Sequence, residues 1–137
     1  MSIIVKNTNV FVATGYNINS TSYTNLLVTS GGAAITVAYT KVAAGTRMLI
    51  RGGGLYDTTA ANTTFTIGCS DGTTDRDLGA NRVFSTNSQF AFAEGSILIS
   101  GLAAGAYTFT LRGKCSAANN ITFSAQSSLF ITAMEVP

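Results

Sequence analysis

Ser96–Lys114 reads SILISGLAAGAYTFTLRGK, and this stretch decides the fold class. Its second half alternates apolar with polar residues, and the apolar set is Tyr107, Phe109 and Leu111. A period of two is typical of a β-strand that buries one face and exposes the other. The first half alternates in the same way, and Gly101–Gly105 favours a turn because glycine accepts positive φ without steric penalty. The segment therefore predicts a β-hairpin with Tyr107, Phe109 and Leu111 in the core.

The same alternation recurs along most of the chain and predicts about nine or ten short strands with turns every 8–12 residues or so. No helical period is present, and the only proline is Pro137. This spacing is typical of a β-sandwich or a β-barrel. The length of 137 residues corresponds to one domain, residues 1–137, with enough core to fold without disulfides.

The last predicted strand, Leu129–Val136, is apolar on both faces apart from Thr132 and Glu135. We therefore expect it inside a sheet and near a subunit contact. One face, with Leu129, Ile131 and Ala133, can join the core. The other offers Phe130 and Met134, which need cover from a second subunit or from a loop of the same chain.

Two glycine-containing stretches are predicted as irregular. Gly52–Gly54 follows the strand-like Arg47–Arg51 and reads as a turn that opens a long loop, which leaves Tyr56 exposed. Ser70–Arg82, with the sequence SDGTTDRDLGANR, reads as a second loop.

The residue types present exclude several kinds of active site. The chain has no histidine, so neither a Ser-His-Asp nor a Cys-His arrangement can form. Neither glycine-rich nucleotide-binding motif is present. Asp57, Glu94 and the Asp71–Asp77 group could supply a carboxylate pair for sugar hydrolysis, but the chain lacks the tryptophan that usually stacks on the sugar. We expect a protein that is not an enzyme, with no catalytic or cofactor-binding residues.

Three acidic residues, Asp71, Asp75 and Asp77, lie close together in the sequence DGTTDRD. Carboxylates at this density can hold calcium through oxygen ligands. Arg76 lies among them, however, and no glutamate follows at the spacing that a calcium loop requires. A solvated segment with an Asp–Arg pair is the interpretation we favour, and the calcium site is the alternative.

The two cysteines, Cys69 and Cys115, leave a single disulfide or two free thiols open. A domain of this size does not need a bridge, so two buried or half-buried thiols are the prediction. Two cysteines cannot form a four-ligand zinc site in a chain without histidine.

Only 10% of the residues are charged, against about 25% in an average domain. A surface of Thr, Ser, Asn and Ala favours docking of another protein or of a neutral sugar, because few charges must be desolvated. The net charge of +2, without a basic run, does not indicate nucleic acid. The five tyrosines could line a carbohydrate site, although core packing is the better explanation for most of them, with the exposed Tyr56 as the exception. The five are Tyr16, Tyr23, Tyr39, Tyr56 and Tyr107.

The amino terminus, MSIIVKNTNVFV, has neither the basic start nor the apolar run of a signal peptide. No uninterrupted run of apolar residues approaches the length that a transmembrane helix requires. We expect a protein made in a cytoplasm, with no membrane partner.

Three stretches together resemble small jelly-roll proteins of tailed bacteriophages: NSTSYTNLL at Asn19–Leu27, ISGLAAGAYTFTLRGK at Ile99–Lys114, and SLFITAMEV at Ser128–Val136. These proteins include head cement (decoration) proteins and the tip domains of tail fibres. The resemblance implies an antiparallel two-sheet β-sandwich of jelly-roll type, homo-oligomerisation as a dimer or trimer, and a place on a virion. It carries over no functional residue, because the family has no shared catalytic site.

Among these relatives a free-standing small jelly roll fits a head cement protein better than a fibre tip, which normally ends a longer chain. The function we expect is to bind the major capsid protein on the outside of a phage head and to stabilise contacts between its subunits. The alternative is a fibre tip that binds a host receptor or glycan. A third hypothesis is a cellular oligomeric jelly roll of the tumour-necrosis-factor or complement type, and the lack of a signal peptide argues against it.

Overall fold

The computed structural model describes residues 3–58, 63–83, 89–116, 121–125 and 127–137, with backbone only at 57–58, 81–83 and 89–90. These ranges contain no helix. Their eleven strands are β1 (Val5–Phe11), β2 (Tyr16–Ile18), β3 (Thr24–Asn25), β4 (Thr36–Lys41), β5 (Arg47–Thr58), β6 (Thr63–Ser70), β7 (Asp75–Val83), β8 (Gln89–Ile99), β9 (Gly105–Cys115), β10 (Ile121–Phe123) and β11 (Ser128–Val136). The prediction of an all-β fold is confirmed, with more strands than the nine or ten expected.

The strands form two antiparallel sheets that pack as a sandwich. Sheet A has the order β1-β11-β5-β10-β2, and β8 also pairs with β5 along Met48–Thr58. Sheet B has the order β3-β9-β6-β7, and β4 also pairs with β9. Strands adjacent in space are mostly distant in sequence, as in a jelly roll, so the predicted two-sheet jelly-roll sandwich is confirmed.

The core lies between the sheets and consists of the side chains that the alternation placed there. Phe109 and Leu111 of β9 are fully buried, as predicted, whereas Tyr107 is only half-buried. Three rings form an aromatic cluster, with centroid distances of 4.9 Å for Tyr56–Phe65 and 5.7 Å for Phe65–Phe123. Tilted and edge-on rings at these distances attract one another beyond their burial.

The strand–turn–strand prediction for Ser96–Lys114 is right, but the hairpin is wrong. β8 pairs with β5 in sheet A, whereas β9 pairs with β3, β4 and β6 in sheet B. The turn between them therefore crosses from one sheet to the other. Gly101 and Gly105 have φ angles of 81° and 151°, which favour glycine. Alternation identifies a strand and its buried face, but it does not identify the hydrogen-bonding partner.

Gly52–Gly54 is not a turn, because β5 continues through it to Thr58. The glycines are needed because side chains approach this strand from both sides. A Cβ on Gly54 would lie 2.3 Å from Leu129, and one on Gly53 would lie 2.6 Å from the Phe130 ring. Tyr56 follows inside the strand and is 0% exposed, so the predictions of a loop and an exposed tyrosine are wrong.

Ser70–Arg82 is also mostly strand rather than loop. Only residues 71–74 form a turn, with Gly72 at a φ of 102°, and the chain then continues as β7 against β6. The polar composition misled the prediction because exposed side chains of this strand carry the charges.

Candidate functional site

The outer face of sheet A carries an unbroken apolar row across four strands. The backbone register aligns Val5 of β1 with Met134 of β11, Met134 with Leu49 of β5, and Leu49 with Leu98 of β8. Val5 is 50% exposed and Leu98 is 48% exposed, while Leu49 and Met134 are half-buried. Four apolar side chains side by side on an outer surface are typical of a protein contact.

An aromatic pair extends this apolar surface. Phe92 and Phe130 stack with a centroid distance of 6.4 Å and an interplanar angle of 20°. The Phe130 ring lies over Gly53, and the Arg51 guanidinium lies 5.8 Å from its centroid. Arg51 also pairs with Glu94 at 3.3 Å. We name the six side chains Val5, Leu49, Leu98, Met134, Phe92 and Phe130 the apolar face of sheet A.

The prediction for Leu129–Val136 is confirmed in its geometry. β11 lies between β1 and β5, and Leu129, Ile131 and Ala133 are fully buried. Phe130 and Met134 are on the opposite face and remain half-buried. The cover that the described residues give Phe130 comes from its own sheet, through Phe92, Arg51 and Gly53. The predicted subunit contact stays a prediction.

A cleft of about 570 Å³ lies where β1 and β11 of sheet A approach β4 and β9 of sheet B. Ile4, Val42 and the Tyr107 ring contribute apolar surface to it, and Lys6 contributes an ammonium group. Within the described part of the chain, Lys6 forms no ion pair. The volume is in the range of about 300–1,000 Å³ that small-molecule sites occupy.

Two residues of the core, Tyr39 and Glu135, hold the walls of this cleft together. The Tyr39 hydroxyl donates to the Ile4 carbonyl at 3.1 Å and accepts from the Glu135 amide at 3.1 Å. The Glu135 carboxylate accepts from the amides of Val42 and Ala43 at 2.9 and 3.0 Å and from the Thr46 hydroxyl.

The Lys41 ammonium also lies 4.0 Å from the Glu135 carboxylate, and both residues are buried. Donation from Thr46, together with the amide of Val42, holds the pKa of Glu135 below its ordinary value. The carboxylate therefore stays charged and ties the segment between β4 and β5 to β11.

Asp71, Asp75 and Asp77 are occupied by protein partners in sheet B. Asp75 pairs with Arg112 at 2.7 Å, and Asp77 accepts from the Tyr23 hydroxyl and pairs with Lys114 at 3.5 Å. The Tyr23 hydrogen bond lowers the pKa of Asp77, and burial raises the pKa of Tyr23.

Asp71 accepts from the amides of Thr73 and Thr74 and lies 3.5 Å from Arg76. Partial burial alone would raise its pKa, but these hydrogen bonds lower it. In the described part of the chain no group of three acidic, cysteine or histidine residues is placed to hold a metal ion.

Cys69 and Cys115 are free and buried, as predicted. In the pairing of β6 with β9, Cys69 is aligned with Leu111 and Cys115 with Phe65, so the two thiols are not opposite each other. Burial raises the pKa of Cys69 to about 12 and that of Cys115 to about 11, which makes both thiols poor nucleophiles.

The structure does not bring the remaining predicted site residues, the other carboxylates and the tyrosines, together into one site. Glu94 is on β8 of sheet A, whereas Asp75 and Asp77 are on β7 of sheet B and Asp71 is in the turn before β7, so the carboxylates considered for hydrolysis are on different elements. The Asp57 side chain is outside the described residues. Tyr16 is half-buried, and burial raises its pKa to about 12 while its hydroxyl donates to the Leu27 carbonyl. Of the tyrosines, Tyr39 and Tyr107 line the cleft.

Val5, Leu98 and Lys6 were not identified from the sequence. Val5 and Leu98 each look like an isolated exposed apolar residue until the strand register joins them into one row. Lys6 becomes a candidate only when β1 is placed beside β4, and no local sequence signal indicates this.

No family model and no curated protein matches the chain. Solved structures match in fold. An Eiger TNF structure from S. frugiperda has 11% identity, a TM-score of 0.58, and coverage of 98% of this chain and 93% of that one. A structure of infectious bursal disease virus, Gx strain, has 15% identity and a TM-score of 0.53. The match covers 98% of this chain but 32% of the viral one. At these identities the likeness shows the jelly-roll fold alone.

The described ranges contain no helix long and apolar enough to cross a membrane.

Proposed function

We propose that the chain is a non-enzymatic structural protein of a bacteriophage virion, and that it associates with itself through the apolar face of sheet A. The observation that carries this proposal is the row of Val5, Met134, Leu49 and Leu98, which crosses four strands on an outer surface. The finer role is that of a cement protein, which binds the major capsid protein on the head surface and stabilises contacts between capsid subunits.

The size of the face supports a pair of subunits. The outer face of β1, β11, β5 and β8 has four outward-facing rows between Leu49 and Leu55, and the six apolar side chains lie in three of them. Four strands about 4.8 Å apart and four rows about 6.8 Å apart give this outer face a plan area of about 500 Å². Two such faces bury about 1,000 Å² in total, which is the lower limit for a specific interface. We therefore expect a dimer of modest affinity rather than an obligate one.

The arrangement of side chains is self-complementary. A two-fold axis parallel to the strands, between β11 and β5, places Leu49 opposite Met134 of the partner subunit. It also places Val5 opposite Leu98 of the partner subunit, so the apolar row meets itself. Arg51 and Glu94 keep their mutual ion pair and face neutral polar residues, so no like charges meet.

The self-association is tested by sedimentation over a concentration series from about 1 to 300 µM, the range expected for an interface at the lower size limit. Leu98→Glu introduces a charge into the row at an exposed position, so we expect it to remain monomeric while wild type dimerises. Thr108→Glu makes the same kind of change on an exposed strand position of sheet B and should leave dimerisation intact. A monomeric wild type at the highest concentration, or equal dimerisation of Leu98→Glu, overturns the self-association.

The virion role is tested separately. Purified protein is mixed with undecorated heads and with host cells of the phage that encodes it, and the retained fraction is measured. We expect the heads to retain the protein. Heads prepared without the protein should break at lower osmotic or thermal stress than decorated heads. Retention on cells alone would support the alternative, a receptor- or glycan-binding fibre tip, for which the cleft beside Lys6 is the favouring observation.

A further inference from the structure

We propose that the cleft between β1 and β4 binds a small molecule made of a carboxylate on a ring or short chain with an apolar side. The proposal is independent of the self-association, because the cleft residues and the apolar face of sheet A do not overlap. Two classes of ligand have these features, acidic sugars and apolar carboxylic acids, and the experiment below distinguishes between them.

The cation in the cleft is available to a ligand. Lys6 lies on β1 opposite Ala133, whose side chain points into the core, so the two residues face the same side of sheet A. In the described ranges no carboxylate pairs with the Lys6 ammonium. Lys6 is exposed, so its attraction for a carboxylate is the modest one of a surface charge, and the apolar residues of the cleft must supply the rest of the binding.

Among the described residues that line the cleft, Glu135 is the one with a carboxylate, and it does not compete for this role. Its oxygens accept from two backbone amides and from Thr46, and the buried Lys41 ammonium is 4.0 Å away. Its charge is therefore compensated locally, and Lys6 supplies the net positive charge that a ligand meets.

The rest of the cleft provides contacts for the body of the ligand. The Tyr107 ring packs on Phe109 at 5.9 Å and lines the cleft, so its position is fixed by the core. Within the described residues the hydroxyls of Thr40 and Thr108 have no protein partner, and both residues line the cleft. The Tyr107 ring therefore offers an apolar contact to the body of the ligand, whereas Thr40 and Thr108 alternate with Tyr39 and Tyr107 and direct their side chains to the other face of sheet B.

The test uses two matched pairs of probes, each followed by NMR chemical-shift titration. Glucuronate is compared with glucose, and cyclohexanecarboxylate with cyclohexanol, so that each pair differs in the carboxylate. We expect at least one carboxylate to bind at millimolar affinity and to shift the amide signals of Lys6, Thr40 and Tyr107, with its neutral counterpart binding at least about threefold more weakly. Binding of glucuronate identifies an acidic sugar, and binding of cyclohexanecarboxylate alone identifies an apolar acid.

Variants connect the binding to the cleft. Lys6→Gln keeps length and polarity but removes the charge, and should weaken carboxylate binding about three- to tenfold without changing the weak binding of the neutral probes. Leu98→Glu changes the other site and should bind as wild type does. The proposal is overturned if neither carboxylate binds, if Lys6→Gln binds equally well, or if the shifted signals belong to the apolar face of sheet A.

Discussion

Replacement of Gly95 by alanine tests how the sandwich closes along one side. Here β8 of sheet A passes close to β7 of sheet B, and a Cβ on Gly95 would lie 1.9 Å from the Leu78 carbonyl oxygen and 2.5 Å from its carbon. The obstructing atoms belong to the backbone, so no rotamer change relieves the contact. Real Cβ atoms essentially never come within 3.0 Å of such an atom, so the two strands must separate by more than an ångström.

The expected cost follows from this geometry. Overpacking of a well-packed interior costs about 1–3 kcal/mol. Because Gly95→Ala forces a backbone shift beside the buried Leu78, we expect the free energy of unfolding to fall by about 3 kcal/mol, at the upper end of this range. A chain of this length has an unfolding entropy of about 0.3 kcal/mol/K near its midpoint, so Tm should fall by about 10 °C. Scanning calorimetry of wild type and Gly95→Ala at the same protein concentration measures this change in Tm.

The matched control for Gly95→Ala is Gly45→Ala. A Cβ at Gly45 meets no heavy atom within 4 Å, so this variant should melt within about 2 °C of wild type, or slightly above it because alanine restricts the unfolded chain. If Gly95→Ala also melts within about 2 °C of wild type, the close approach of β7 and β8 is not a feature of the folded protein, and the reasoning fails.

Three further predictions concern the core, the buried carboxylate and the acidic segment. Phe109→Ala should lower the free energy of unfolding by about 3–5 kcal/mol in denaturant titration, and a loss below about 1 kcal/mol would contradict its burial in the core. Glu135→Gln should be less stable than wild type at pH 7. Because the folded-state pKa of Glu135 is lowered, this difference should narrow as the pH falls below its ordinary value of 4.5 and should not narrow on the alkaline side. Chelator treatment should leave Tm unchanged, since ion pairs occupy the carboxylates of Ser70–Arg82; a fall reversed by calcium would restore the metal hypothesis.

Side-chain alternation was enough to predict which residues face the core. Phe65, Ile67 and Cys69 on β6, like Met48 and Ile50 on β5, are buried as their period of two requires. This alternation is a local property, because the sequence of one strand is enough to distinguish its buried face from its exposed face. It is also why the prediction of an all-β sandwich did not depend on knowing which strands pair.

The glycines could not be interpreted in the same way. Gly53 supplies clearance for the Phe130 ring, and Gly95 supplies clearance for a neighbouring backbone, yet in the sequence both resemble glycines of turns. What distinguishes the two roles is a neighbour that is far away in the chain. The hairpin prediction failed for the same reason, because β8 and β9 are consecutive in sequence but bond to different partners.

The candidate sites depend even more on long-range pairing. Phe130 and Met134 could be predicted as an uncovered surface because a single strand was apolar on both faces. The row that includes Leu98 required the register of three strand pairs. The cleft brings Lys6 and Glu135 together from opposite ends of the chain, so no local pattern could indicate it.

The two outer faces of the sandwich differ in what burial would cost. On sheet B, Arg112 pairs with Asp75 at 2.7 Å and Lys114 with Asp77 at 3.5 Å, and covering these pairs would require their desolvation. On the described outer face of sheet A one such pair, Arg51 with Glu94, lies between the row of Leu49 and the Phe92–Phe130 pair, so self-association covers one ion pair there against two on sheet B. Self-association should therefore use one face only, and a single self-complementary face closes after two subunits instead of growing into a filament.

A dimer closed in this way carries two copies of the cleft. If each cleft binds a carboxylate, a surface that displays many carboxylates should retain the dimer far better than the free ligand affinity indicates, because the second contact forms at high effective concentration. Leu98→Glu should then bind soluble carboxylate as wild type does but dissociate from a carboxylate-coated sensor at least about tenfold faster. Lys6→Gln should lose binding in both formats. Equal dissociation of wild type and Leu98→Glu from the coated sensor would show that the two sites do not act together.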